Sequence, residues 1–196
     1  MLKRITLIAL ICIFAAAQAY ANVTDEVKKT VDEVVRIVTN KEMKKNEQKR
    51  RQALKKAISD IFDYTEMAKR SLGRHWNTRT PAEKKQFVGL FETLLENSYA
   101  NKIESYHNEK IVYINETTEG NNSEVRSKII TPSHDEFSLD YRLMNENGKW
   151  MVYDVVIEGV SLVSNYRSQF NRIISEHNYG ELLKKLQAKS EEIKAP

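Results

Sequence analysis

Cysteine is nearly absent from this chain of 196 residues: Cys12 is the only one. It lies within an apolar run and follows Ile11, where a lipidation site would want a small residue. A disulfide framework, a cysteine zinc site and a thiol nucleophile are therefore excluded beyond that run. Six glycines and three prolines leave no low-complexity linker and no glycine-rich phosphate loop; isolated Gly120, Gly148 and Gly180 suit turns. Charge of one sign is also lacking. Lys and Arg number 31 against 27 Asp and Glu, and the basic residues are mixed with Glu along most helical segments. A nucleic-acid binder would concentrate them in one stripe. The densest basic stretch, Lys41 to Arg51, reads as a solvated helix face or loop. The four histidines, His75, His107, His134 and His177, form no metal-ligand spacing, so no metal or other cofactor is expected.

One long apolar run exists, Ile5 to Ala17, after Lys3 and Arg4 and before Ala19-Tyr20-Ala21. It is shorter than the roughly 20 residues that cross a bilayer, and small residues follow it. The segment reads as a secretory signal peptide cleaved after Ala21, with a membrane anchor as the alternative. Cleavage would leave residues 22–196 as a single domain, with 29 basic residues facing 27 acidic ones. Without disulfides, that domain must rest on its hydrophobic core.

Val23, Val27, Val31, Val34 and Val38 recur at helical spacing. A polar connection over 40–47 follows, then a helix from Gln48 to about Ile61 and a corner at Phe62-Asp63-Tyr64. Asp63 can cap a short helix that Gly73 ends, with Trp76 as a plug just beyond it. Thr80-Pro81-Ala82-Glu83 is a capping box with proline at the first helical position. The helix it opens carries Phe87, Leu90, Phe91, Leu94, Leu95, Tyr99 and Ile103. Strand alternation begins after His107, in 111–115, 124–130, 136–143 and 149–157. Turn residues separate these runs and no helix-length segment does, which gives an antiparallel meander. In the fourth run, Met151, Tyr153, Val155 and Ile157 oppose Trp150, Val152, Asp154 and Val156. Helical spacing returns from Val160 through Ile174, and Leu182 to Leu186 begin a last helix. The expected fold is α+β, with helices against one face of a curved sheet.

Two chemistries remain open. The broad Phe, Tyr, Leu and Ile stripes could enclose an apolar ligand or simply each other. An acidic residue inside the fold could act as a base, and Asp154 is a better candidate than Asp140. Asp140 is expected in solvent or paired with Arg142. The sequons at Asn22, Asn115 and Asn121 carry little weight.

The segment Trp150 to Phe170, WMVYDVVIEGVSLVSNYRSQF, resembles the signature of MlaC-like periplasmic phospholipid-binding proteins of the toluene-tolerance Ttg2 type. Phe62-Asp63-Tyr64 through Leu72-Gly73 to Trp76, and Phe87 to Tyr99, resemble the family's early helical motif and its long helix in the same order. The resemblance implies an NTF2-like fold, with a strongly twisted four-stranded sheet and helices around a deep acyl-chain cavity. It implies a monomeric, non-enzymatic periplasmic carrier of phospholipid, serving outer-membrane lipid asymmetry. Its partners would be an inner-membrane Mla ABC transporter complex with an MCE-domain subunit and an outer-membrane lipoprotein–porin complex, each docked transiently. The walls would come from Leu90, Phe91, Leu94, Tyr99, Ile103, Leu139, Tyr141, Tyr153, Val155, Ile157, Val160 and Val163. Tyr166 and Arg167 would meet the headgroup at the mouth, unless Arg167 is an internal strut. The competing function is a periplasmic isomerase or hydrolase acting on an apolar substrate in the same cavity.

Overall fold

A computed structural model describes residues 22–192; the segment read as a signal peptide lies outside the described residues. The valine stripe forms helix α1 (Val23–Thr39), capped by the Asn22 side chain. Glu116 of the sheet also holds its first turn, accepting from the Thr24 N–H and hydroxyl at 2.7 Å each. The connection after α1 is not purely a polar linker. Asn40 and Asn46 each cap a helix start, which creates a one-turn helix α2 (Lys41–Lys44) before α3 (Glu47–Ser59).

Helix α4 (Tyr64–Leu72) starts at Asp63, whose carboxylate accepts from the Glu66 N–H at 2.9 Å. It stops at Gly73, where φ is +53°, and a 3-10 turn over Gly73–Trp76 follows. Helix α5 (Pro81–Glu104) opens on the complete Thr80–Glu83 capping box. Strands β1 (Lys110–Glu119), β2 (Asn122–Ile130), β3 (Glu136–Glu146) and β4 (Lys149–Ile157) form the antiparallel meander. The Asn147-Gly148 turn has positive φ at both residues, as a tight hairpin needs. Val160–Ser161, expected to begin a helix, instead forms a two-residue edge strand β5 on β4. Helices α6 (Leu162–Glu176) and α7 (Tyr179–Glu192) complete the chain.

The fourth strand departs from simple alternation. Arg142 pairs with Asp154 but Leu143 pairs with Val152, so Tyr153 is an extra residue in β4. This bulge puts Val152 and Val155 into one buried cluster with Trp150, instead of on opposite faces. The Val152 N–H donates to the Ile61 carbonyl at 2.7 Å, and its carbonyl accepts from the Asp63 N–H at 2.9 Å. The corner between α3 and α4 is thereby tied to the sheet.

Burial divides the interior. One cluster joins α4, α5, α6 and α7 around Met67, Phe87, Phe91, Phe170 and Leu182. A second joins α1 to the concave sheet through Val23, Val27, Val125, Tyr141, Leu143 and Val152. A third, smaller cluster packs Ile37 and Val38 of α1 on Leu54 of α3, with Ile103 and Tyr106 beside them.

Candidate functional site

Between these clusters lies a cavity of about 790 Å³. The stripe of α1 supplies Val27, Val31, Val34 and Val38, and α3 supplies Leu54 and Ile58. The sheet contributes Ile111, Ile129, Phe137, Leu139, Tyr141, Val152, Val155 and Ile157. The C-terminal half of α5 adds Leu95, Tyr99, Ala100 and Ile103, while Phe62, Tyr64 and Met67 close the end toward the helical core. The polar wall residues gather mainly on α3 and the last turns of α5: Arg51, Gln52, Lys55, Glu96, Asn97 and Lys102. Gln52, Lys55 and Lys102 are exposed, so the cavity reaches solvent along the α3–α5 seam.

The wall chemistry suits hydrocarbon. Away from the seam its surface is mainly alkyl and aromatic carbon, which gives polar substrate atoms little to bond. Burial pushes the phenols of Tyr64 and Tyr141 far above their ordinary range, with nearby carboxylates adding to the shift. They therefore stay neutral and cannot act as bases near neutral pH.

Asp154 is outside this cavity. It is 3% exposed and holds the start of α6. Its carboxylate accepts from the Val163 N–H at 3.0 Å and the Ser161 hydroxyl at 2.6 Å, and Arg142 lies 3.4 Å away. Asp140 accepts from the Ser127 N–H at 3.1 Å across the sheet, and Arg142 pairs with Glu124 and Asp154 instead of Asp140. Both aspartates are occupied in joining backbone segments. Among the described residues, no group of three or more His, Cys, Asp or Glu converges as a metal site.

Of the wall residues expected from sequence, the structure brings Tyr99, Ile103, Leu139, Tyr141, Val155 and Ile157 together on the cavity. The others lie elsewhere. Phe91, Leu94 and Val163 are buried in the helical core, with Leu90 packed against it. Tyr153, turned by the bulge, faces the Arg70 guanidinium, 3.9 Å from its ring centroid. Val160 is on the exposed edge strand. Tyr166 is half-buried against Phe91, at 5.2 Å, and Phe170, at 5.4 Å. Arg167 is exposed on α6: its guanidinium donates to Ser164 Oγ at 3.0 Å and its aliphatic stem covers Gly73. The wall residues missed were those of α1, α3 and 61–67. The valine stripe was the available signal, but helical spacing alone names a buried face and not what it faces.

The Gly73 contact gives a testable outcome. A Cβ there would meet Arg167 Cδ at 3.3 Å on a backbone with positive φ. Gly73→Ala is expected to lower stability by about 1–2 kcal/mol, read from the urea midpoint, without removing a cavity wall.

Comparison with known proteins agrees with this geometry. The family described as MlaC protein matches residues 28–188. The intermembrane phospholipid transport system binding protein MlaC of Haemophilus influenzae is 27% identical over 137 residues, covering 66% of this chain and 64% of that protein. Toluene tolerance protein ttg2D of Pseudomonas putida is 24% identical over 120 residues, covering 60% and 56% respectively. The chain thus spans somewhat less than two thirds of the length of these curated relatives. A 1.53 Å structure of a phospholipid-binding protein from Ralstonia solanacearum, in complex with a phospholipid, superposes with a TM-score of 0.81 at 27% identity. That similarity covers 89% of this chain and all of the other. With one family model running through α1, the sheet and into α7, the chain belongs to the MlaC family.

Proposed function

We propose that this protein is a soluble periplasmic carrier that binds a phospholipid by its acyl chains and moves it between the two membranes. The observation that carries the reading is the apolar cavity between α1 and the sheet, open at a polar seam. A methylene occupies about the volume of a liquid water molecule, ~30 Å³, so 790 Å³ holds on the order of 26 such groups. That is close to the two chains of one diacyl lipid. Each methylene kept from water is worth about 0.8 kcal/mol, so roughly 30 of them set a barrier to unaided crossing on the order of 20 kcal/mol. A carbon-walled cavity removes most of that barrier, and near equality with a membrane lets the ligand leave as readily as it enters. The polar headgroup stays at the seam. Transient docking to an inner-membrane Mla ABC transporter complex and an outer-membrane lipoprotein–porin complex fits a carrier that must release each in turn.

Native mass spectrometry of protein purified from the periplasm, with lipid extraction, tests the ligand. One phospholipid per chain is expected; no lipid, together with no uptake from vesicles, would overturn the reading. Ala100→Trp should fill the cavity from the α5 wall. It is expected to reduce lipid occupancy at least tenfold while leaving the circular dichroism spectrum unchanged.

A further inference from the structure

Helix α3 packs on α1, while its side chains reach α5 across the cavity opening. Lys55 Nζ lies 3.0 Å from a carboxylate oxygen of both Glu92 and Glu96. About two turns further along α5, Glu104 takes Arg50 at 3.0 Å and Arg51 at 3.4 Å. Arg51 is also held by Glu47 within α3 at 2.9 Å. Lys55, Arg51 and Glu96 are themselves wall residues of the cavity, so these ion pairs span its mouth.

A second observation concerns how well this seam closes. Arg50 Nε and Asn97 Nδ2 are buried at the seam without a hydrogen-bond partner, and the Arg51 Nε–Glu104 Oε1 and Lys55–Glu96 Oε1 ion pairs lack hydrogen-bond geometry. A partly satisfied polar network is costly in place and gains hydration when it opens. Burial pushes the Glu96 carboxyl up despite Lys55 beside it. Burial draws the Lys55 ammonium down, but its bonds to Glu92 and Glu96 more than offset this and raise it. The seam is thus a charged closure with a built-in cost.

We propose that Lys55 with Glu92 and Glu96, and Arg50 and Arg51 with Glu104, form an electrostatic latch that sets the rate at which ligand passes the α3–α5 seam. This rests on the carrier reading above. Helix α3 carries part of one cavity wall, and parting these pairs lets it move off α5 while α1 keeps its contacts with the sheet and α4 to α7 keep their own core. The latch acts on the rate of passage, because the hydrocarbon contacts that retain the ligand lie deeper, on α1 and the sheet. Lys55 acts in the latch through its pairs with Glu92 and Glu96.

The test uses the full chain loaded with a fluorescent diacyl phospholipid and transferred to phosphatidylcholine vesicles. Lys55→Gln should release ligand roughly threefold faster or more, the scale of losing one such pair, with lipid stoichiometry unchanged. Wild type should release faster as salt rises, and Lys55→Gln should show a shallower salt response. Lys55→Arg should restore the wild-type rate. In a Lys55→Cys and Glu96→Cys double variant, a reducible bismaleimide bridge should hold loaded lipid until reduced. A wild-type release rate in Lys55→Gln, or free release from the bridged protein, would overturn the latch. Failure of wild type to take up any phospholipid would overturn the carrier reading instead. If Lys55→Gln does not fold, the bridged protein alone decides, since free release from it removes the latch.

Discussion

Replacing Phe91 with alanine is expected to lower stability by about 3–5 kcal/mol, among the largest effects in this chain. Phe91 is fully buried. Its ring sits 5.9 Å from Phe87, 5.6 Å from Phe170 and 5.2 Å from Tyr166, the last two edge-on. Alanine would leave a void that neither α6 nor α5 can fill, since both are pinned by the same aromatic cluster. Urea unfolding at 25 °C measures the loss. The informative companion measurement is lipid occupancy of the folded fraction, which should stay at the wild-type level because Phe91 is not a wall residue. Ala100→Trp should give the opposite pair of results, with stability nearly kept and occupancy lost. A Phe91→Ala variant that folds with undiminished stability but empties of lipid would mean that the helical core, and not the space beneath α1, is the ligand site.

This contrast shows where sequence reading stopped. Helix α5 has Phe87, Phe91 and Leu94 toward the other helices, and Leu95, Tyr99 and Ile103 toward the cavity. Both sets are apolar at helical spacing, so periodicity reports that they are buried and cannot say against which neighbour. The capping box at Thr80, the Asp63 cap and the Gly73 stop depend on side chains within one turn of themselves, and they were legible for that reason. So was the meander, because turn residues separate its strands. The β4 bulge was not. It is created by pairing with β3 and by the bonds from Val152 to Ile61 and Asp63, which are distant in sequence. That single extra residue sends Tyr153 to Arg70 and leaves Val155 and Ile157 on the cavity. The Trp150–Phe170 stretch, on which the family resemblance rests, holds the bulge, Asp154, β5 and the start of α6 in one continuous run. The valines of α1 were readable as a helix face. That they would wall a cavity depends on α1 standing off from Leu139 and Ile157 of the sheet, a matter of tertiary spacing.

Asp154 is where structure and function can be separated most sharply. Asp154→Ala should destabilise the protein by about 2–4 kcal/mol, because it strands a buried backbone N–H at Val163 and the hydroxyl of Ser161. Ser161 is itself the cap of α6, its hydroxyl oxygen accepting from the Ser164 N–H at 3.0 Å. Losing Asp154 therefore loosens two successive bonds at one helix start. Arg142 adds less, since its side chain is 39% exposed and keeps Glu124 as a partner. Asp154→Asn preserves an acceptor for Val163 and should cost about half as much. These losses are structural in origin, and their signature is that ligand chemistry does not change. In both variants the phospholipid taken up from vesicles should be recovered at its original mass, as it should from wild type. Time-dependent conversion of the lipid by wild type, abolished in a folded Asp154→Asn variant, would make Asp154 a base and the cavity an active site. The geometry predicts otherwise: the carboxylate is turned toward the α6 start, and the space that would hold a substrate is walled by Val152 and Val155 from the other side of the same strand.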